Sequence, residues 1–338
     1  QFSGKNIYVL GENTDSTIIN GSDFYSSAVK IYDGSSNASL ENFTVINSGQ
    51  DVCASHDGAI VVSSSDIILK NLKIIDSKAR GIEFINSNSS LENIDILDGS
   101  GNCEGGGFKA YQSNLIIESI TIDSMIGSIG GGIYIHQSEL VLNNSTISNN
   151  TAYHNGGGIY SHESILNINN TKINNNELII NSSNDLDGGG GIYAYNSDVF
   201  LDKVLIYGNY SDVGGGIYLD LSPININRST IVNNIDQQNG SNIWAYNTQP
   251  SINNSIIWQD IESELWEGWG ISWDLDLGIQ VSFSNLSQNT PDSFGVGNIF
   301  ESPQFADPDN GDFTLQSTSP CIDAGDPNSE LDPDGTIA

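Results

Sequence analysis

Two series of side chains recur at matching places along this sequence, and both have the chemistry of recognition. One runs Lys109, Tyr134, Tyr160, Tyr193, Tyr218, Trp244; the other, two residues later each time, runs Tyr111, His136, His162, Tyr195, Asp220, Tyr246. Tyr and Trp give large amphipathic contact at low entropic cost, so a row of them can stack on sugar rings or anchor a protein partner. The structural alternative is that such aromatics support neighbouring strands by stacking on one another, or lie beneath turns. His136 and His162 have the types for an acid–base pair or a metal site, with Asp220 or Glu163 as third ligand. A separate group, Lys78, Arg80, Glu83 and Lys109, could neutralise a uronate carboxylate and take its neighbouring proton, as polysaccharide lysis by elimination requires. Its alternative is a solvated charge pair on the short turn before Gly81.

Hard oxygen ligands crowd the C-terminal part. Asp307, Asp309, Asp312, Asp323, Asp326, Asp332 and Asp334 fall on turns one or a few residues apart, and Asp185 and Asp187 sit on the longest loop between repeats. Such spacing suits calcium, the expected cofactor, although Asp is also a common turn former. The stretch Asp326 to Asp332 alternates oxygen-bearing residues without completing an EF-hand pattern. Asn13-Thr14-Asp15 is a lone acidic triplet without the clustered Asp residues and Gly-His-Gly of a polygalacturonase-type hydrolase, and is discounted.

What must position these residues is a repeat. Gly-Gly-Gly-Ile-Tyr begins at Gly130, Gly156, Gly189 and Gly214, recurring 26, 33 and 25 residues apart. A unit of that length cannot bury its own apolar face and must stack on its neighbours. Each copy holds three short runs of period two, such as Ile133 to His136, Leu140-Val141-Leu142 and a third ending in Ile-x-x-Asn; these are strands, with Gly and Asn at the joints. The apolar anchors Val29, Ile60, Ile82, Phe108, Ile133, Ile159, Ile192, Ile217 and Ile243 define nine coils, and ten to twelve in all would make a rod of roughly 50–60 Å at about 4.8 Å per coil. The fold class is all-β: a parallel β-helix, or solenoid, with inward Ile, Leu and Val in ladders. The closing residues Asn150, Asn176, Asn209 and Asn234 read as an internal amide ladder, which pairs every buried amide.

Composition narrows the partners. The formal charge is −32, from 42 acidic and 10 basic residues, which speaks against nucleic acid and anionic membranes. No apolar run approaches a membrane span, and the start at Gln1 shows neither a charged n-region nor an apolar h-region, so the expectation is that any signal peptide has been removed. Cys53 and Cys103 lie in loops flanking the shortest coil and could form a disulfide, or remain thiols; Cys321 would then be single. Triplets of the form Asn-x-Ser/Thr, as at Asn37, Asn42, Asn169, Asn227 and Asn285, read as a product of Asn abundance. Trp266, Trp269 and Trp273 alternate with Glu262, Glu264, Glu267 and Asp274 where the repeat breaks, as a packed lid or a binding loop. The expected organisation is β-helix coils over 1–258, a Trp-rich acidic excursion over 259–278, and a last coil with a C-terminal cap over 279–338.

The Gly-Gly-Gly-Ile and Ile-x-x-Asn signatures resemble the repeats of polymorphic outer-membrane adhesins and, more broadly, secreted bacterial β-helix repeat proteins. Ser302-Pro303-Gln304-Phe305, Asp307 to Phe313 and Ser319-Pro320-Cys321-Ile322-Asp323-Ala324-Gly325-Asp326 are similar to the choice-of-anchor-type C-terminal module of such proteins. The resemblance implies a right-handed coil, a module that caps it and precedes an anchoring tail, and a secreted or cell-surface location. It covers most of the chain but embraces adhesins and enzymes alike, so it does not decide activity. The expectation is a monomeric, non-catalytic adhesion or binding protein that engages an extracellular polysaccharide or a surface protein through the aromatic rows. A polysaccharide lyase or glycosidase, and a purely structural spacer, are the alternative readings.

Overall fold

The computed structural model describes residues 2–22, 27–34, 36–48, 57–179, 187–239, 242–259, 271–273, 279–287 and 295–329. Its spine is an 11-stranded, all-parallel sheet. The strands run from Phe2–Ser3 through Val29–Tyr32, Ile60–Ser63, Ile82–Ile85, Phe108–Tyr111, Ile133–His136, Ile159–His162, Ile192–Tyr195, Ile217–Asp220 and Ile243–Tyr246 to Ile271–Trp273. Each pairs with the next coil without a shift of register, so that Phe108, Ile133, Ile159, Ile192, Ile217 and Ile243 form one file. All six are fully buried. Alternation then turns the following residue of each strand outward.

The anchor spacings therefore give the coil order correctly, and the structure adds a rung at each end. The last rung, Ile271–Trp273, pairs with Ile243–Ala245 and lies inside the stretch expected to leave the repeat. The Trp-rich segment is thus partly a coil; Trp266 and Trp269, with Glu262, Glu264, Glu267 and Asp274, fall outside the described residues. In the early coils the second and third runs merge into single strands, Asp66–Ile75, Asn88–Leu97 and Asn114–Asp123, bent at Asn71, Asn93 and Ser119, which adopt positive φ. Later coils divide at the same corner, as in Glu139–Asn143 and Thr146–Ser148.

The Gly triplet has a packing cause. Gly130, Gly156, Gly189 and Gly214 take φ between +60° and +74°, a left-handed conformation that glycine adopts without a Cβ clash. At the third position, a Cβ on Gly132 would stand 2.7 Å from the Gly158 carbonyl and 3.0 Å from the Asn150 amide nitrogen. That amide belongs to the expected ladder. Asn150, Asn176, Asn209 and Asn234 each donate Nδ2–H to the Oδ1 of the next member at 2.9 Å, and the fifth member is Asn242. Each is fully buried. Asn242 departs from the Ile-x-x-Asn pattern: it precedes its strand, where the six coils before it, from Ile82 to Ile217, have glycine.

Serine ladders do the same work at the other corners. Ser87, Ser113, Ser138, Ser164, Ser197 and Ser222 each accept, through Oγ, the backbone N–H of the serine one coil earlier. They satisfy buried backbone donors that the turns would otherwise strand.

The C-terminal part closes the rod in two ways. Asn285 bridges to Ile299 and donates to the Glu301 carbonyl and to Cys321 Sγ, covering the end of the last coil. The antiparallel hairpin Phe305–Asp307 and Asp312–Leu315 folds back on the flank, where Phe305 and Phe313 pack with Tyr207, Val232 and Trp258. No helix among the described residues is long and apolar enough to cross a membrane.

Candidate binding face

The outward side of the 11-stranded sheet gathers both aromatic series. Register places Lys109, Tyr134, Tyr160, Tyr193, Tyr218 and Trp244 in one row, and Tyr111, His136, His162, Tyr195, Asp220 and Tyr246 in the second. In the first row the rings of Tyr134, Tyr160, Tyr193 and Tyr218 stack with centroids 5.2, 5.2 and 4.8 Å apart and planes within 9° of parallel. The Gly-rich loops run along one side of this stack; a Cβ on Gly188 would meet the Tyr218 ring at 2.5 Å. The tyrosines are consequently half-buried.

Burial pushes all four phenols above their ordinary range, with Glu104 adding to the effect at Tyr134 and Tyr160, Tyr218 at Tyr193, and Asp220 at Tyr218. Their hydroxyls therefore stay protonated at any working pH and remain donors. Because the ring faces meet each other, the row presents no open faces along the stack. The stacking is the mutual support expected as the structural alternative for this row.

The second row is more open. Tyr111 is 36% and Tyr246 38% exposed, with His136, His162, Tyr195 and Asp220 half-buried between them. Tyr111 stacks on His136 at 5.4 Å, His136 meets His162 edge-on at 4.5 Å, and Tyr195 follows at 5.1 Å. Burial first, and the neighbouring His162 second, hold the His136 imidazole below its ordinary pKa. Two atoms in this row are buried without a hydrogen-bond partner: His136 Nδ1 and Asp220 Oδ1. His162 Nε2 lies 3.7 Å from Glu163 Oε1, yet no three acidic, His or Cys side chains among the described residues group as a metal site. Asp220 stands a full rung beyond Tyr195 from His162.

Three of the four residues of the lyase reading, Arg80, Glu83 and Lys109, meet at the Glu83 carboxylate, and Lys78 stands apart. Arg80 is buried, not a solvated turn residue: its Nη1 donates to Glu83 Oε1 at 3.0 Å, and its Nε to the Glu104 carbonyl at 3.2 Å. Glu83 is itself buried. Lys78 instead points to solvent and pairs with Asp76. Lys109 lies 2.6 Å from Glu104 Oε2, 4.0 Å from Glu83 and 5.5 Å from the Tyr134 ring centre, so it caps the tyrosine stack as a cation over the ring face. Glu104 is the member the sequence reading passed over. Its signal was present: it precedes Gly105-Gly106-Gly107, a further copy of the glycine triplet in which Gly105 also takes positive φ.

The acids proposed for calcium are dispersed. Asp307 accepts from Asn310 Nδ2, Asp312 from Thr314, and Asp326 from Asn328, each closing its own turn. Asp309 is exposed, and Asp187 lies 3.5 Å from His154 Nδ1. Asp185, Asp332 and Asp334 fall outside the described residues. Cys103 is buried and disulfide-bonded, and Cys53 falls outside the described residues; Cys321 is free. A concavity of ≈ 430 Å³ lies away from the aromatic rows, on the outer side of the second run, lined by Asp66, Ile68, Asn88, Ile116, Glu139 and Val141 among others. Its outward isoleucines break the expected apolar-in alternation, and nothing in the repeat signature announces them.

The fold is that of a right-handed parallel β-helix, and a family model for the right-handed β-helix region matches residues 27–186. No curated protein sequence matches the chain. Among solved structures, the chain is similar to the receptor-binding protein of bacteriophage Det7, a podoviral tailspike in a myovirus, at 10% identity and TM-score 0.33 over 88% of this chain and 72% of that one. It is also similar to tailspike protein 3 of bacteriophage CBA120, at 10% identity and TM-score 0.24 over 88% of this chain and 55% of that one. Likenesses this distant say nothing of what the present chain binds.

Proposed function

We propose that this chain is a secreted or cell-surface binding protein without catalysis, which holds an elongated glycan along the outer face of its 11-stranded sheet. The observation that carries the reading is the side-by-side arrangement of a locked tyrosine stack and an open second row ending in Tyr111 and Tyr246. A platform whose rings are already fixed by stacking loses little side-chain entropy on binding. Phenol hydroxyls recurring once per rung, about 4.8 Å apart, suit a linear polymer of hydroxylated rings better than a compact ligand. Sugar faces would meet the open aromatics of the second row, and sugar hydroxyls the tyrosine edges.

Burial of Arg80 and Glu83 weighs against elimination chemistry at this surface, and the acidic chain would repel a polyuronate. The test is retention on a panel of immobilised polysaccharides, with and without calcium, alongside an assay for new reducing ends and unsaturated products. Retention without turnover, lowered about tenfold in Tyr111→Ala/Tyr246→Ala with the melting curve unchanged, is expected. Product formation that disappears in Lys109→Ala would make the protein an enzyme; failure to retain any polysaccharide would leave the spacer reading.

A further inference from the structure

We infer that Asp220 is an anchor for an ammonium group, and that the glycan held on this face carries free amines, as a de-N-acetylated amino-sugar polymer does. The inference rests on the binding reading above and narrows it. Asp220 is the one carboxylate in a row otherwise built of aromatic rings and imidazoles. Register puts Tyr195 on the rung before it and Tyr246 on the rung after, while Tyr218 and Trp244 flank it in the first row.

Its Oδ1 is shielded from water and accepts no hydrogen bond. A shielded, unpaired carboxylate oxygen is costly, and loss of hydration is what lifts this carboxyl above the ordinary Asp range. A sugar hydroxyl could supply a hydrogen bond but would leave the charge uncompensated. An ammonium at the accessible side of this half-buried carboxylate supplies both donor and charge, and aromatic residues stand one rung away on either side, where cation–π contact would add to it. The same site disfavours a uronate, whose carboxylate would face Asp220 directly. Long-range attraction agrees in sign, since the chain carries a formal charge of −32. That attraction alone would draw any polycation to any surface of the rod, so the test must separate local from general charge.

Affinities of a short glucosamine oligosaccharide and its N-acetylated counterpart are to be measured by calorimetry at about 0.3 M salt, where general attraction is largely screened. The wild type is compared with Asp220→Asn, which keeps the side-chain shape, and with Asp198→Asn, the same charge change at an exposed residue of the second run. The amine oligosaccharide should bind on the order of 10- to 100-fold tighter, as one desolvated charge-assisted contact allows. Asp220→Asn should remove that preference while leaving the acetylated ligand within about twofold, and Asp198→Asn should keep it. A preference that survives Asp220→Asn, or falls equally in Asp198→Asn, would refute the anchor and reduce the effect to general acidity. Equal affinity for the two ligands in the wild type would refute it while sparing the binding face. A lysine-rich peptide that outcompetes the amine oligosaccharide in an Asp220-dependent way would refute the glycan in favour of a protein partner. Binding of neither oligosaccharide, nor of any polysaccharide in the panel, would remove the binding reading itself.

Discussion

Tyr193 and Tyr218 stack with ring centroids 4.8 Å apart and planes within 6° of parallel, a separation equal to that between neighbouring β-strands. The backbone ladder thus sets the ring stack: any residue pair in strict register one rung apart meets at this distance, and flat rings fill it face to face. The tyrosine faces therefore serve the fold, which leaves the hydroxyls as the groups a ligand would meet under the proposed binding.

Replacing Tyr193 tests that division. Tyr193→Ala removes two stacking contacts from a half-buried ring and should cost about 2–3 kcal/mol in denaturant unfolding. Tyr193→Phe keeps both contacts and should stay within about 0.5 kcal/mol while weakening glycan retention. Equal destabilisation by the two variants would show that the hydroxyl, not the ring face, supports the fold.

The amide ladder should be more sensitive. Asn176 Oδ1 accepts from both the backbone N–H and the Nδ2 of Asn150, so Asn176→Ala strands two buried donors and should cost about 3 kcal/mol or more. Asn225→Ala, at an exposed strand position, should cost under about 1 kcal/mol. Unfolding midpoints of the two variants in urea settle the comparison; similar values would mean that water replaces the missing amide.

Register made most of this legible in the sequence. A period-two strand that repeats without slipping fixes which residues share a row, so both aromatic rows and the Asn file could be read from spacing. What spacing could not show is which outward residues a loop then covers. Glu83 is outward by alternation and Arg80 lies on the turn before its strand, yet both are buried, Arg80 beneath the Glu104 and Asp57 carbonyls and Glu83 in its ion pair with Arg80. The serine ladders escaped notice because a lone Ser at each turn resembles ordinary turn composition, and Asn242 because it enters the ladder from the opposite end of its loop. The flank docking of Phe313 is a long-range contact with no local pattern behind it.

That docking carries its own prediction. Phe313 lies 4.9 Å from the Tyr207 ring and 5.2 Å from Phe305. Phe313→Ala should release the hairpin at a cost of about 2 kcal/mol or more, seen as earlier proteolytic cleavage near Asp309 to Gly311 with little change in the unfolding of the central coils. Loss of the central coils at the same denaturant concentration would instead show one cooperative unit.

His136 makes stability depend on pH, with a definite sign. Its ring is faced by Tyr111 and His162, and Glu163, Glu104 and Lys109 act on it at longer range. Burial and His162 lower its pKa in the folded state, so the native protein binds this proton less readily than the unfolded chain does. The contribution is then fully present above the unfolded value of about 6.5 and is lost as pH falls through that value, reaching its floor below the folded pKa. Asp220 and Asp212, both raised by burial, act in the opposite direction, favouring the folded state as pH falls, so the whole-protein curve mixes signs. The difference between wild type and His136→Gln removes that mixture. Urea midpoints between about pH 8 and pH 5 should diverge, the wild type losing more stability than the variant as the solution is acidified, and the His136 ring signal in NMR should titrate below that of a free imidazole. Parallel curves would mean that His136 is hydrated in solution and that its shielded Nδ1 finds a partner there.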